Sequence, residues 1–267
     1  MNYSEYKLLK ITIDNKIACV AINRPDARNA INMELHKELE DIWDDLAQDP
    51  GVHVIILTGE GPAFAAGGDL KRMAERAGTE EGTQHALALP AKARRLLQNM
   101  LEVQKPIIAA VNGDAIGLGA TLALFCDIIV MAQDARIGDP HVRIGLPAGD
   151  GGAIIWPLLV GPARAKEYLM RGLIATGREA ERINLVNHAV PIDEVLPMAR
   201  KIADEFRQLP IWAVRFTKST INIQVKQQFN LMMDASIAAE ALTMFTSDFG
   251  EGTRAFVEQR KPKFADD

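Results

Sequence analysis

Two turns rich in small residues, and one histidine flanked by aspartates, are where this sequence could do chemistry. Phe64-Ala65-Ala66-Gly67-Gly68-Asp69-Leu70 places small residues between an apolar strand and a helix start. Backbone N–H groups are unpaired there and the helix dipole is positive, so such a turn can host an anion. Asn112-Gly113-Asp114-Ala115-Ile116-Gly117-Leu118-Gly119 opens a second helix in the same way. The amides of Gly68 and Leu118 could therefore converge on one developing oxyanion. The competing account is that both turns serve packing alone. Asp139-Pro140-His141 and, nine residues after the histidine, Asp150 supply titratable groups. A carboxylate can fix an imidazole tautomer and stabilise its charged form, which makes His141 with Asp150 a general base and its orienting acid. Against this, Asp150 also suits the N-cap of a helix over 153–160, and His141 a hydrogen-bonded loop position.

Those groups need elements to hold them. Leu8 to Ile13, a turn at Asp14-Asn15-Lys16, and Ile17 to Ile22 form a hairpin pattern. Asn32 then caps a helix with Leu35, Leu39, Ile42, Trp43 and Leu46 on its apolar face, ending at Asp49-Pro50-Gly51. Val52 to Thr58 reads as a buried strand. Strand, glycine-rich loop and helix then repeat, at Gly59 to Leu70 and again from Ile107 to Leu122, which argues for an α/β body with parallel strands. Glu75 to Ala91 is small, polar and glycine-bearing, and is expected to be a mobile surface segment, a lid. Near residue 200 glycines thin out and helical periods take over, at 202–209, 214–225 and 229–245. The expected division is a core over 1–200 and a helical region over 201–267.

Bulk properties narrow the classes. With 267 residues and 48% hydrophobic content the chain can bury one substantial core. A net charge of -5 gives no basic face for nucleic acid or anionic lipid. Ala115 to Ala132 approaches spanning length, but Gly117, Gly119 and Asp127 argue for a buried helix followed by a buried strand, and no membrane partner is expected. The N-terminal ten residues lack an apolar h-region, and Cys19 and Cys126 sit in apolar runs, which together predict a cytoplasmic protein with free thiols.

The two glycine turns, in this order, carry a family pattern. Ala66-Gly67-Gly68-Asp69 resembles the first oxyanion segment of the crotonase, or enoyl-CoA hydratase/isomerase, superfamily. Lys105-Pro106-Ile107-Ile108-Ala109-Ala110-Val111-Asn112-Gly113 through Cys126-Asp127-Ile128 resembles the second. The resemblance runs from Asn23-Arg24-Pro25 and Arg28-Asn29-Ala30, through Val160-Gly161-Pro162-Ala163-Arg164-Ala165, to Phe256-Val257-Glu258. It implies a spiral of ββα units closed by a C-terminal α-helical trimerisation region, a homotrimer or dimer of trimers. It also implies an acyl-CoA thioester substrate whose carbonyl is polarised by the amides of Gly68 and Leu118. Coenzyme A would enter as part of the substrate, with no prosthetic group. Its tail would meet Arg24, Arg28, Ala66, Lys71 and Arg72, the competing account for these cations being plain surface solvation. The tail-binding lysine near the family's C-terminus is displaced here by Gln259.

This sequence departs from the pattern where hydratases of the family carry two glutamates. Those positions read Thr121 and His141. Threonine neither accepts nor donates a proton well at neutral pH, so hydration by the two-glutamate route is in doubt and His141 with Asp150 is the favoured acid–base pair. A histidine and an aspartate at these positions also resemble the β-diketone hydrolases typified by 6-oxocamphor hydrolase. His36 and Glu240 look like further matches to that site, although His36 lies in an ordinary amphipathic helix and Glu240 in an apolar run where a packed role competes. Leu118 stands where that subgroup has another histidine, and the retained glycine turn favours a thioester.

Other classes find little support. The four serines sit in no G-x-S-x-G elbow, and Gly113 to Gly119 lacks the dinucleotide spacing. The five histidines, at 36, 53, 85, 141 and 188, never pair at ligand spacing, so no metal is expected. A crotonase-fold binding protein that lost catalysis is the remaining alternative.

Overall fold

The computed structural model describes residues 2–265. Its first elements are β1 (Leu9–Asp14), β2 (Ile17–Ile22), α1 (Met33–Gln48), β3 (Val54–Gly59), β4 (Ala63–Ala65), α2 (Leu70–Arg76) and α3 (Glu80–Glu102). The middle of the chain adds β5 (Ile107–Val111), β6 (Asp114–Ile116), α4 (Leu118–Leu124), β7 (Ile128–Ala132), β8 (Arg136–Gly138), α5 (Gly152–Val160) and α6 (Pro162–Arg171). The rest forms β9 (Ile174–Thr176), α7 (Gly177–Arg182), β10 (His188–Val190), α8 (Ile192–Gln208), α9 (Ile211–Thr243) and α10 (Ser247–Val257).

A hairpin opens the chain as expected, β1 pairing antiparallel with β2 across a turn in which Asn15 and Lys16 have φ of 49° and 65°. From β2 onward the six-stranded sheet β1-β2-β3-β5-β7-β10 is parallel, and a second sheet, β4-β6-β8-β9, runs beside it. Three strands of the first sheet pass directly into the second, β3 to β4, β5 to β6 and β7 to β8, before a helix returns the chain. That repeated strand–strand–helix step is the spiral.

Period-2 alternation sorts the strand residues to two faces. Ile55, Leu57, Ala109, Val111 and Ile129 join the main core under α1 and α3. Val54, Ile56, Ile108, Ala110 and Val130 pack on Val195, Ala199 and Ala203 of α8. With both faces covered, all six residues of β3 are buried. Asn32 accepts from the Leu35 amide and starts α1, whose Leu35, Leu39, Ile42, Trp43 and Leu46 are fully buried. Removing each such side chain from water is worth ~1.5–3 kcal/mol.

Two expectations of local structure are corrected. The surface segment from Glu75 to Ala91 is mostly helix, broken only by a turn over 77–79: Thr79 accepts from the Gly82 amide, Glu80 and Glu81 occupy the first turn, and α3 runs on through Pro90 for 23 residues. Burial of Ala86, Ala93, Leu96, Leu97 and Met100 on its inner face outweighs the poor local propensity of Gly82. The helical periods at 214–225 and 229–245 belong to one helix of 33 residues, α9. No helix among the described residues is long and apolar enough to cross a membrane.

Candidate active site

The two glycine turns touch. Gly67 has φ +85°, and a Cβ there would lie 2.6 Å from the Ile116 carbonyl oxygen and 3.7 Å from the Gly117 Cα. Only glycine allows that approach. Gly68 follows immediately, ahead of Asp69, whose carboxylate caps α2. Leu118 is the first residue of α4, behind Gly117 at φ +55°. Among the described residues the amides of Gly68 and Leu118 have no hydrogen-bond partner, whereas their neighbours Ala66 and Gly117 donate to Arg28 and Gly138. Gly68 and Leu118 line one cavity of 270 Å³. His141, Asp150, Glu240 and His36 line the same cavity.

The histidine is clamped between two carboxylates. Its Nδ1 donates to Asp139 Oδ1, and its backbone amide approaches the same oxygen at 3.4 Å. Nε2 faces Asp150 Oδ2 at 3.7 Å. The ring is 12% exposed and rests against Gly117, whose missing Cβ would sit 3.4 Å from Cε1. Asp139, which sequence reading left outside the site, is thus the group that fixes the imidazole, and Asp150 takes the opposite nitrogen. The one available signal was its position two residues before His141, the spacing of an aspartate that turns back on its own loop.

Asp150 is not a helix cap. Gly151, at φ +116°, caps α5 without a side-chain bond. The Asp150 carboxylate instead accepts from Thr121 Oγ1 at 3.3 Å, so threonine holds the acid in place. Glu240, buried on α9, has Oε2 without a partner, and it backs onto Gly149, where a Cβ would lie 2.6 Å from its own. His36 Nδ1 is occupied by Glu40 Oε1 at 2.9 Å.

Burial and mutual charge set the protonation states. Burial alone would depress the imidazole of His141, but the carboxylates of Asp139 and Asp150 outweigh it and hold the ring well above its usual value. Burial pushes Asp150 up, against the pull of His141. Glu240 is raised by burial and then by the charge of Asp150. The site thus favours a charged imidazole at His141 and a carboxyl at Glu240 that keeps its proton to higher pH than usual. Such a set can give a proton at one point and take one at another. The donor atoms of Asp139, His141 and Asp150 lie within 4.8 Å of one another, close enough to suggest a metal. Here the ring nitrogens are already engaged, Nδ1 by Asp139 and Nε2 facing Asp150.

A second cleft, of 470 Å³, opens on the other side of Gly68 and His141 and is lined by Ala66 and Arg28. Arg136 and Arg143 also line it, and neither was anticipated from sequence. Of the other cations expected near a coenzyme A tail, Arg72 lines the 270 Å³ cavity and pairs with Glu75 at 2.9 Å. Arg24 donates to the Ala30 carbonyl and lies 3.9 Å from Asp69, tying its own turn down. Lys71 is exposed and lines neither space.

The family model described as enoyl-CoA hydratase/isomerase matches residues 12–267. The chain belongs to that family. Among its relatives, a crotonyl-CoA hydratase of Syntrophomonas wolfei is 37% identical over 260 residues, covering 97% of this chain and 98% of that protein. A short-chain-enoyl-CoA hydratase of Clostridium acetobutylicum is 35% identical over 249 residues, 93% of this chain and 94% of that one. In three dimensions, an enoyl-CoA hydratase/isomerase from Mycobacterium paratuberculosis superposes with a TM-score of 0.85 at 33% identity, covering 94% of this chain and 99% of that one. The ββα spiral is therefore the crotonase fold of the enoyl-CoA hydratase/isomerase enzymes.

Proposed function

We propose that this enzyme processes acyl-CoA thioesters through an enolate held by the amides of Gly68 and Leu118, with His141 and Asp150 moving the proton. The observation that carries the reading is the pair of unpartnered amides on touching turns, lining one cavity with the histidine and its acids. Two backbone donors aimed at a thioester oxygen stabilise the charge that develops there, a contribution that needs no particular side chain at position 118. Asp139 holds the imidazole, Asp150 receives or returns the proton at Nε2, and protonated Glu240 supplies a second acid. Arg28, Arg136, Arg143 and Ala66 flank the cleft that would take the coenzyme A tail, and no prosthetic group enters the scheme. Residues 1–200 act as the catalytic core, and 201–267 as the region that assembles trimers. The free thiols of Cys19 and Cys126 fit a cytoplasmic setting.

A second reading, β-diketone hydrolysis, is favoured by one observation: His36 and Glu240 line the same cavity as His141 and Asp150. Incubating the purified protein with crotonyl-CoA, a 3-hydroxyacyl-CoA and a bicyclic β-diketone separates the two. Turnover of the thioesters alone supports the first reading. Turnover of the diketone alone replaces it with the second, and none with any substrate leaves a binding protein.

A further inference from the structure

Next to the catalytic cavity lies an outer one of 460 Å³, within the ~300–1,000 Å³ range of small-molecule sites. Met73, Arg76, His85 and Met244 line both, so the spaces adjoin between α2, α3 and the end of α9. Met73 begins right at the oxyanion turn: its Cε lies 2.5 Å from where a Cβ on Gly68 would sit. The two methionines form an apolar neck leading outward from the reacting centre.

The outer cavity differs in having no acid among the described residues of its walls, while it shares Arg76 and His85 with the inner one. Glu34, Asp69, Asp150 and Glu240 line the inner cavity, but no carboxylate lines the outer one. Its ionisable walls are Arg76, Arg254 and His85. Arg76 is only 20% exposed and uses Nε on Glu81, at 2.7 Å, while its Nη donors have no partner among the described residues. His85 is half-buried and neither ring nitrogen is bonded to a described residue. Burial, then Arg76 and Lys92, lower the imidazole, leaving a neutral ring with an N–H to donate. A guanidinium with spare donors beside a neutral imidazole is a receptor for a planar anion.

A thioester carbonyl held at Gly68 and Leu118 places the acyl chain against Met73, and the neck carries its far end to Arg76. We infer that the preferred acyl group ends in a carboxylate, bound by Arg76 and His85 in the outer cavity. This rests on the thioester reading of the inner site.

The test uses the purified full chain with trans-2-hexenoyl-CoA and with its analogue in which C6 is a carboxylate, measuring Kd by calorimetry and KM where turnover occurs. Charge-assisted bonds of this kind predict a preference of about 10- to 100-fold for the carboxylated thioester. Arg76→Ala should bring the ratio close to one, and Arg76→Lys should restore part of it. A merely structural role would weaken both ligands equally and leave the ratio intact. His85→Leu, expected to lower the ratio, provides the same readout if Arg76→Ala does not fold. Equal or tighter binding of hexenoyl-CoA, or a ratio that survives these variants, overturns the inference while leaving the thioester reading in place. Failure of both thioesters to bind removes the thioester reading and this one with it.

Discussion

Asp150 Oδ2 stands 3.7 Å from Nε2 of His141, while its Oδ1 accepts from Thr121, one of two positions where the family's hydratases resemble each other in carrying glutamate. The threonine thus holds an acid that lies nine residues beyond His141, the other of those two positions. Replacing His141 by Ala or Asp150 by Asn should each lower kcat by ~10²–10⁴. Far-ultraviolet circular dichroism should be unchanged in both. Wild-type rates in the two variants would remove these side chains from the chemistry.

Leu118 permits a direct test of the amide. Proline is tolerated at the first position of a helix, and Gly117 before it has no Cβ to meet the ring. Leu118→Pro should fold, retain binding of free coenzyme A and lose ~10²–10³ in kcat, the cost of one oxyanion donor. Full activity would show that this N–H does not face the reacting oxygen.

Glu240 links the site to stability. Burial, with the charge of Asp150, raises it from 4.5 to about 8 in the folded chain. Between those values the native state binds more protons than the unfolded one, so its contribution falls as pH rises through the window. Glu240→Gln should flatten the decline in Tm between pH 5 and pH 8.5 recorded by calorimetry. An unchanged slope would mean that Glu240 ionises freely in the native protein.

Assembly is expected through the helical region. Trp212, Phe216 and Ile223, on one face of α9, are each more than half exposed, a row of apolar side chains that a monomer leaves wet. Light scattering should return a mass three or six times 29.3 kDa. A monomeric mass at micromolar concentration would contradict trimer formation.

Much of this was legible because local chemistry and global fold agree. The Asn32 cap, the strand alternation and the glycine turns each have a short-range cause, and all appear where residue types put them. The misreadings have long-range causes. Residues 75–91 look like a mobile segment because they are small, polar and glycine-bearing, and the packing of α3 against α1 and α9 is what makes most of them helix. Asp139 is legible beside His141 but not as its partner, because that depends on which ring nitrogen it occupies, a matter of rotamer rather than spacing. Arg24 carries the right charge for a phosphate but spends it on Ala30 and Asp69.

Gly67 leaves the backbone around it in contact with Ile116. If the two turns hold the substrate as proposed, its anchoring is written into main-chain geometry rather than into the side chains around it. On the proposed reading, the side chains at 121 and 141, and acids from a different loop and from α9, can vary without disturbing a grip on the carbonyl made by backbone amides. A scaffold divided in this way can change its reaction by exchanging a few buried acids while its hold on the ligand persists.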